Sequence, residues 1–200
     1  AGAPTEPSGY AMLARHYLEK GQVNKAEAIL KEGLEVTPDG FLLNITQAGL
    51  LESEGKIPEA IAIYERLIEE RPNSEIVANN LASLIAETSN NEEDLRRAYT
   101  LAKRFRNSKV PNFLDTLGWV HYRLGEYDMA TPLLRRAVEL DPNMALLRYH
   151  FGMSLKAENN RERAIRELEK ALVLGGSQQF AKTAEVEKAL EELKAASKTN

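Results

Sequence analysis

Residues 111–142 read PNFLDTLGWVHYRLGEYDMATPLLRRAVELDP. Leu114, Leu117, Gly118 and His121 fall at i, i+3, i+4 and i+7, the spacing of one helix face. Tyr127, Ala130, Leu134, Ala137 and Val138 share a face in the same way beyond Gly125. The pattern predicts two amphipathic helices joined by a tight turn at Gly125. Pro142 closes the pair, because proline has no N–H with which to continue a helix. One such hairpin exposes an apolar face that it cannot bury alone.

The chain meets that need by repetition. Gly21 with Ala26, Gly55 with Ala60, and Gly125 with Ala130 reproduce one turn, and Asn159 with Ala164 follows 34 positions after the last of these. Pro38 and Pro72 are also 34 apart. A period of that length signals a stacked helical array. It divides residues 8–178 into units at 7–40, 41–74, 75–110, 111–144 and 145–178. The third unit is irregular, with a longer turn at Thr88–Asn91 that reads as a loop rather than a domain break. Ser89 and Glu92 there have the spacing of a capping box. Residues 1–7 read as a flexible lead-in. Gly175-Gly176 should end the tenth helix in a left-handed conformation. A capping helix over 178–197 follows, apolar at Val186, Ala189, Leu190 and Leu193 and charged elsewhere.

Composition limits the function. The 200 residues carry a net charge of −4, so no global basic field draws the chain to nucleic acid or anionic lipid. There is no cysteine, which removes disulfides and thiolate zinc sites. No apolar run reaches the roughly 20 residues that span a bilayer, so direct membrane insertion is not expected. The chain begins Ala1-Gly2-Ala3, as an excised or processed fragment would. His16, His121 and His150 form no i, i+4 pair with each other or with a carboxylate, so no metal site is expected. Glu92-Glu93-Asp94 suits the positive end of a helix dipole, and Lys103-Arg104-Phe105-Arg106 the negative end. Gly175-Gly176 lacks the spacing of a phosphate loop. No catalytic residue, cofactor or metal is expected.

The period, the closing prolines and the small residues at fixed sites resemble the tetratricopeptide repeat family. The first-helix small site is Ala14, Ala48, Ala82, Gly118 and Gly152; the second-helix site is Ala26, Ala60, Ala98, Ala130 and Ala164. Two helices pack at about 8–10 Å only where side chains are small. The residue before the first site is Leu13, Leu81, Leu117 or Phe151, but Gln47 in the second unit departs from this. The resemblance implies an all-α α-solenoid of about five helix–turn–helix units plus a C-terminal capping helix. It also implies a non-enzymatic scaffold that binds a peptide or partner helix on a concave face lined by first helices.

By the family pattern, the groove would carry Asn79, Asn112, Asp115, Trp119, Tyr122, Arg123, Tyr149 and Met153. Trp119, the single tryptophan, would anchor a partner with Tyr122 and Tyr149. The alternative is that Trp119 packs between adjacent first helices. Asp115 and Arg123 would pair with each other or hold a ligand terminus. The dicarboxylate clamp of chaperone-binding members is absent, because its sites carry Arg15, Ala11, Ile45, Gly49, Asn79 and Ser83.

Two further readings stand beside this one. The segment LDTLGWVHYRLGEYDMA resembles the C-terminal repeats of large bacterial proteins of this family, some of them envelope lipoproteins of exopolysaccharide and surface-protein export. That would make the chain part of a cell-envelope assembly, periplasmic rather than cytoplasmic. The other reading is homo-oligomerisation through terminal repeats left uncapped.

Overall fold

The computed structural model describes residues 6–37, 40–176 and 180–195. Most of the lead-in, Pro38, and both ends of the expected capping helix lie outside them. Eleven α-helices and no strand occur among the described residues. Ten form consecutive hairpins: α1 (Pro7–Glu19) with α2 (Val23–Val36), α3 (Phe41–Ser53) with α4 (Ile57–Glu70), and α5 (Glu75–Thr88) with α6 (Glu92–Ala102). The series continues with α7 (Pro111–Arg123) and α8 (Tyr127–Leu140), then α9 (Ala145–Ala157) and α10 (Arg161–Gly175). A last helix, α11 (Thr183–Ala195), packs on α10 through a stripe that buries Val186, Ala189, Leu190 and Leu193. This is the all-α repeat fold with a terminal capping helix.

The turns explain why the hairpins recur. Gly21, Gly55 and Gly125 have φ of +67°, +75° and +76°, and Asn159 takes the same left-handed conformation at +61°. Asparagine tolerates that region because its short side chain can satisfy the backbone locally. In the fourth unit Gly125 N–H donates to Tyr122 O at 2.9 Å and Glu126 N–H to His121 O at 2.9 Å. The pair of reversed bonds supplies donors to carbonyls that a helix end otherwise leaves bare.

Two expectations fail on local chemistry. The cap of α6 is Asn91, whose side chain accepts from Glu93 N–H at 2.8 Å. Ser89 is occupied elsewhere: its hydroxyl donates to Asp94 at 2.6 Å. Neither Gly175 nor Gly176 takes the expected left-handed conformation; Gly176 has φ −58°. Glycine serves a steric need at Gly175 instead, where a Cβ would lie 2.7 Å from the Phe180 ring.

The chain forms two compact units, Ala1–Leu84 and Ile85–Asn200, whose boundary falls inside α5 rather than at the Thr88–Asn91 loop. In the first, Tyr10, Ala14, Ala26, Leu30, Leu43 and Leu50 make a core. Tyr64, fully buried, donates to Glu52 at 2.7 Å and accepts from Asn80 at 3.3 Å. In the second, Leu114, Leu117, Leu134, Leu155 and Leu168 are enclosed, and Phe105 stacks on Phe113 with centroids 4.5 Å apart. A Cβ on Gly118 would stand 2.7 Å from Leu134 Cγ, and one on Gly152 equally close to Leu168 Cγ.

Gly118→Leu therefore has no room. It should lower stability by about 1–3 kcal/mol or more through overpacking, read by urea unfolding. Gly49, exposed in the interior of α3, has no atom within 4 Å of a Cβ. Gly49→Ala should raise stability by ~0.5–1 kcal/mol, since it only restricts the unfolded chain and improves helix propensity. A reversed order of the two variants would break the assigned register.

Candidate functional site

The second unit holds a ring stack built by two helices. On α7, Trp119 and Tyr122 are three residues apart, so their side chains meet on one face. Their rings stack at 4.5 Å with 7° between planes. The opposite face of the Trp119 indole stacks on His150 of α9, at 3.9 Å and 13°. Tyr149, next to His150, tilts against Trp119 at 5.8 Å and meets Phe180 edge-on at 6.1 Å.

His150 is the polar centre of this cluster. Its Nδ1 lies 2.8 Å from an Asp115 oxygen and its Nε2 lies 3.2 Å from Glu87 Oε1. The other Glu87 oxygen is 2.7 Å from Lys182 Nζ. Both imidazole nitrogens thus face carboxylates, an arrangement satisfied only when both carry hydrogen and the ring is cationic. Burial opposes that charge, but the Asp115 and Glu87 carboxylates outweigh it and push His150 up to about 9. Burial likewise opposes charge on Glu87, yet His150 and Lys182 hold it down at about 2. Trp119 lies flat on this imidazolium, where a cation–π contribution of ~2 kcal/mol is reached in desolvated settings.

The expected site residues separate into groups. Asp115, Trp119 and Tyr149 are each only 5% exposed, because the buried imidazolium and the stack draw them inward. Trp119 therefore packs between the two first helices. Asp115 and Arg123 do not pair with each other. Eight residues apart, they sit about 12 Å along the helix axis. Arg123 instead donates to the Ala86 carbonyl, to Ser89 O at 2.7 Å and to Asn90 Oδ1 at 2.8 Å, and so caps the end of α5. Tyr122 and Met153 remain half-exposed and Asn112 exposed. Asn79, in the first unit, is half-buried against Asn80.

Met153 and Tyr149 line a cleft of about 240 Å³ between α9 and α11, with Ala189 at its base. Lys156 and Glu192, paired with each other, and Glu185 and Lys188 edge it. Burial and the nearby Glu185 and Glu87 carboxylates raise the Tyr149 hydroxyl above its ordinary range. Sequence reasoning did not find His150, Glu87 or Lys182. A signal existed for Glu87: it stands five positions after Ala82, as Arg123 does after Gly118. Lys182 lies outside the repeats and had none. Among the described residues no group of three or more His, Asp or Glu could hold a metal ion, and no helix is long and apolar enough to cross a membrane.

Comparison with known proteins agrees with this architecture. Family models described as tetratricopeptide repeat match residues 11–75 and 111–144. The chain belongs to the tetratricopeptide repeat family. It is 25% identical over 134 residues to TPR repeat-containing protein PA4667 of Pseudomonas aeruginosa, covering 67% of this chain and 22% of that protein. It is 29% identical over 106 residues to the Surface lipoprotein assembly modifier of Pasteurella multocida, covering 50% and 20%. The chain thus spans about a fifth of the length of these relatives. Among solved structures it resembles TTC0263, a thermophilic TPR protein of Thermus thermophilus, with a TM-score of 0.74, 17% identity, and coverage of 92% of this chain and 99% of that one.

The imidazolium network makes stability depend on pH. A folded value of about 9 against an ordinary 6.5 means that the His150 contribution is full below pH 6.5 and fades as pH rises to about 9. The loss approaches ~1.4 kcal/mol per pH unit in that window. The Glu87 contribution is full above its ordinary 4.5 and fades toward pH 2. Thermal melts should show a plateau near pH 4.5–6.5. His150→Gln should start lower and fall much less between pH 6.5 and 9. An equally steep fall in that variant would assign the titration to another group.

Proposed function

We propose that this chain docks a peptide or partner helix on the face of its second unit formed by α7 and α9 and bordered by α11. Chains of this family are protein-interaction scaffolds and in general not enzymes. The observation that carries the finer reading is the α9–α11 cleft, where half-exposed Met153 presents apolar surface over the edge of buried Tyr149, beside paired charges. Its volume suits one large apolar side chain of a partner. The Tyr122–Trp119–His150 stack supports the reading from beneath. Rings locked on a buried ion pair keep the cleft from collapsing, and a preformed site loses less entropy on binding. Trp119 acts here as a support and not as a contact.

Peptides selected from a random displayed library against the chain test this. Met153→Glu should weaken the selected binders by about tenfold or more, the scale of a central interface residue. Met12→Glu, at a position 73% exposed on α1, should leave them unchanged. Equal effects from the two substitutions would remove the site.

The likeness to the Pasteurella assembly modifier favours a second, contextual reading, in which the chain is a module of a cell-envelope assembly. A signal peptide or lipobox encoded upstream of Ala1 would support it. A cytoplasmic domain encoded there would remove it.

A further inference from the structure

The compact unit Ala1–Leu84 has an opening that the repeat pattern does not call for. In the second unit the seam between α8 and α9 is filled. Phe151, Leu155 and Val138 are buried, and Thr131 and Ser154 share a 2.6 Å hydrogen bond across it. The matching seam of the first unit, between α2 and α3, has Gln47 where Phe151 stands, Leu51 for Leu155 and Leu34 for Val138. All three are only half-buried. The result is a cleft of about 430 Å³ whose apolar walls are Leu30, Leu34, Leu50 and Leu51.

Its rim is acidic. Glu54 is held by Lys56 at 3.0 Å. Glu27 and Glu35 form no ion pair among the described residues, although Lys31 lies one turn from each on the same helix. These two exposed carboxylates are eight residues apart on α2, about 12 Å along its axis. The surrounding unit adds to the field: Ala1–Leu84 carries thirteen Asp and Glu against seven Lys and Arg.

We infer that the α2–α3 cleft is a second docking site, and that it takes a cationic amphipathic helix. Such a partner places one or two leucine-sized side chains among Leu30, Leu34, Leu50 and Leu51. Its lysines or arginines, two turns apart, reach Glu27 and Glu35. The site is distinct from the α9–α11 cleft and does not depend on it.

Fluorescence anisotropy with the full chain tests the inference. The probe is a labelled helix of about 14 residues of leucine and lysine with its leucines on one face, long enough to span both carboxylates; the control has glutamate in place of each lysine. The lysine peptide should bind and the glutamate peptide should not. Gln47→Phe keeps the charge and fills the cleft, and should weaken binding about tenfold or more. Glu35→Lys should weaken it comparably and flatten its salt dependence. Met153→Glu should change nothing. Unaltered binding by Gln47→Phe, or equal binding of the two peptides, overturns the proposal. If Gln47→Phe does not fold by circular dichroism, Glu35→Lys, on an exposed position, decides alone. Dimers in sedimentation that Gln47→Phe dissolves, with no peptide binding, would assign the cleft to a second copy and equally overturn it.

Discussion

The contact on which the architecture rests is a side chain pressed against bare backbone. Leu134 meets Gly118, and one period later Leu168 meets Gly152 at the same distance. Neither helix pair could close this far over a methyl group. Once the two helices of a hairpin are this near, their apolar stripes are committed to one another. What remains exposed must be covered by the next hairpin, and after α10 that task falls to α11. Repetition here follows from a need for small residues at one site, met by glycine at 118 and 152 and by alanine at Ala14, Ala48 and Ala82.

That constraint also explains how much of the fold is visible in the sequence itself. Small residues, turn glycines and a fixed period leave a regular trace, and Asn159 was placed at its turn by register alone. The misreadings share another origin. Asn91 and Ser89 are both plausible caps, and the choice between them depends on where Asp94 directs the serine hydroxyl. Gly175 and Gly176 look like a helix terminator, yet the need for glycine comes from Phe180, which contacts it only in the folded chain.

The site was less legible than the fold for a related reason. Helical spacing correctly brought Trp119 and Tyr122 together. It could not show that His150 would draw Trp119 and Asp115 inward, because that interaction joins α7, α9 and the end of α5. Burying an imidazolium is tolerable only with carboxylates on both of its nitrogens and a counter-charge beyond, and Asp115, Glu87 and Lys182 supply these. A pattern search for histidine with a carboxylate four residues away passes over such a group entirely. Two of its partners, at 87 and 182, are remote in sequence.

Arg123 has a consequence for how this chain can vary over evolutionary time. Its guanidinium satisfies the carbonyls of Ala86 and Ser89 from a different helix, and the Ser89 N–H donates to Ile85 O, so these carbonyls need no donor from residues beyond Asn90. The turn between α5 and α6 is thereby released from the strict length imposed on the glycine turns. Extra residues can accumulate after Asn90 without uncapping the helix or shifting the register of the units downstream. One side chain makes this the point at which the repeat can lengthen while its neighbours keep their spacing.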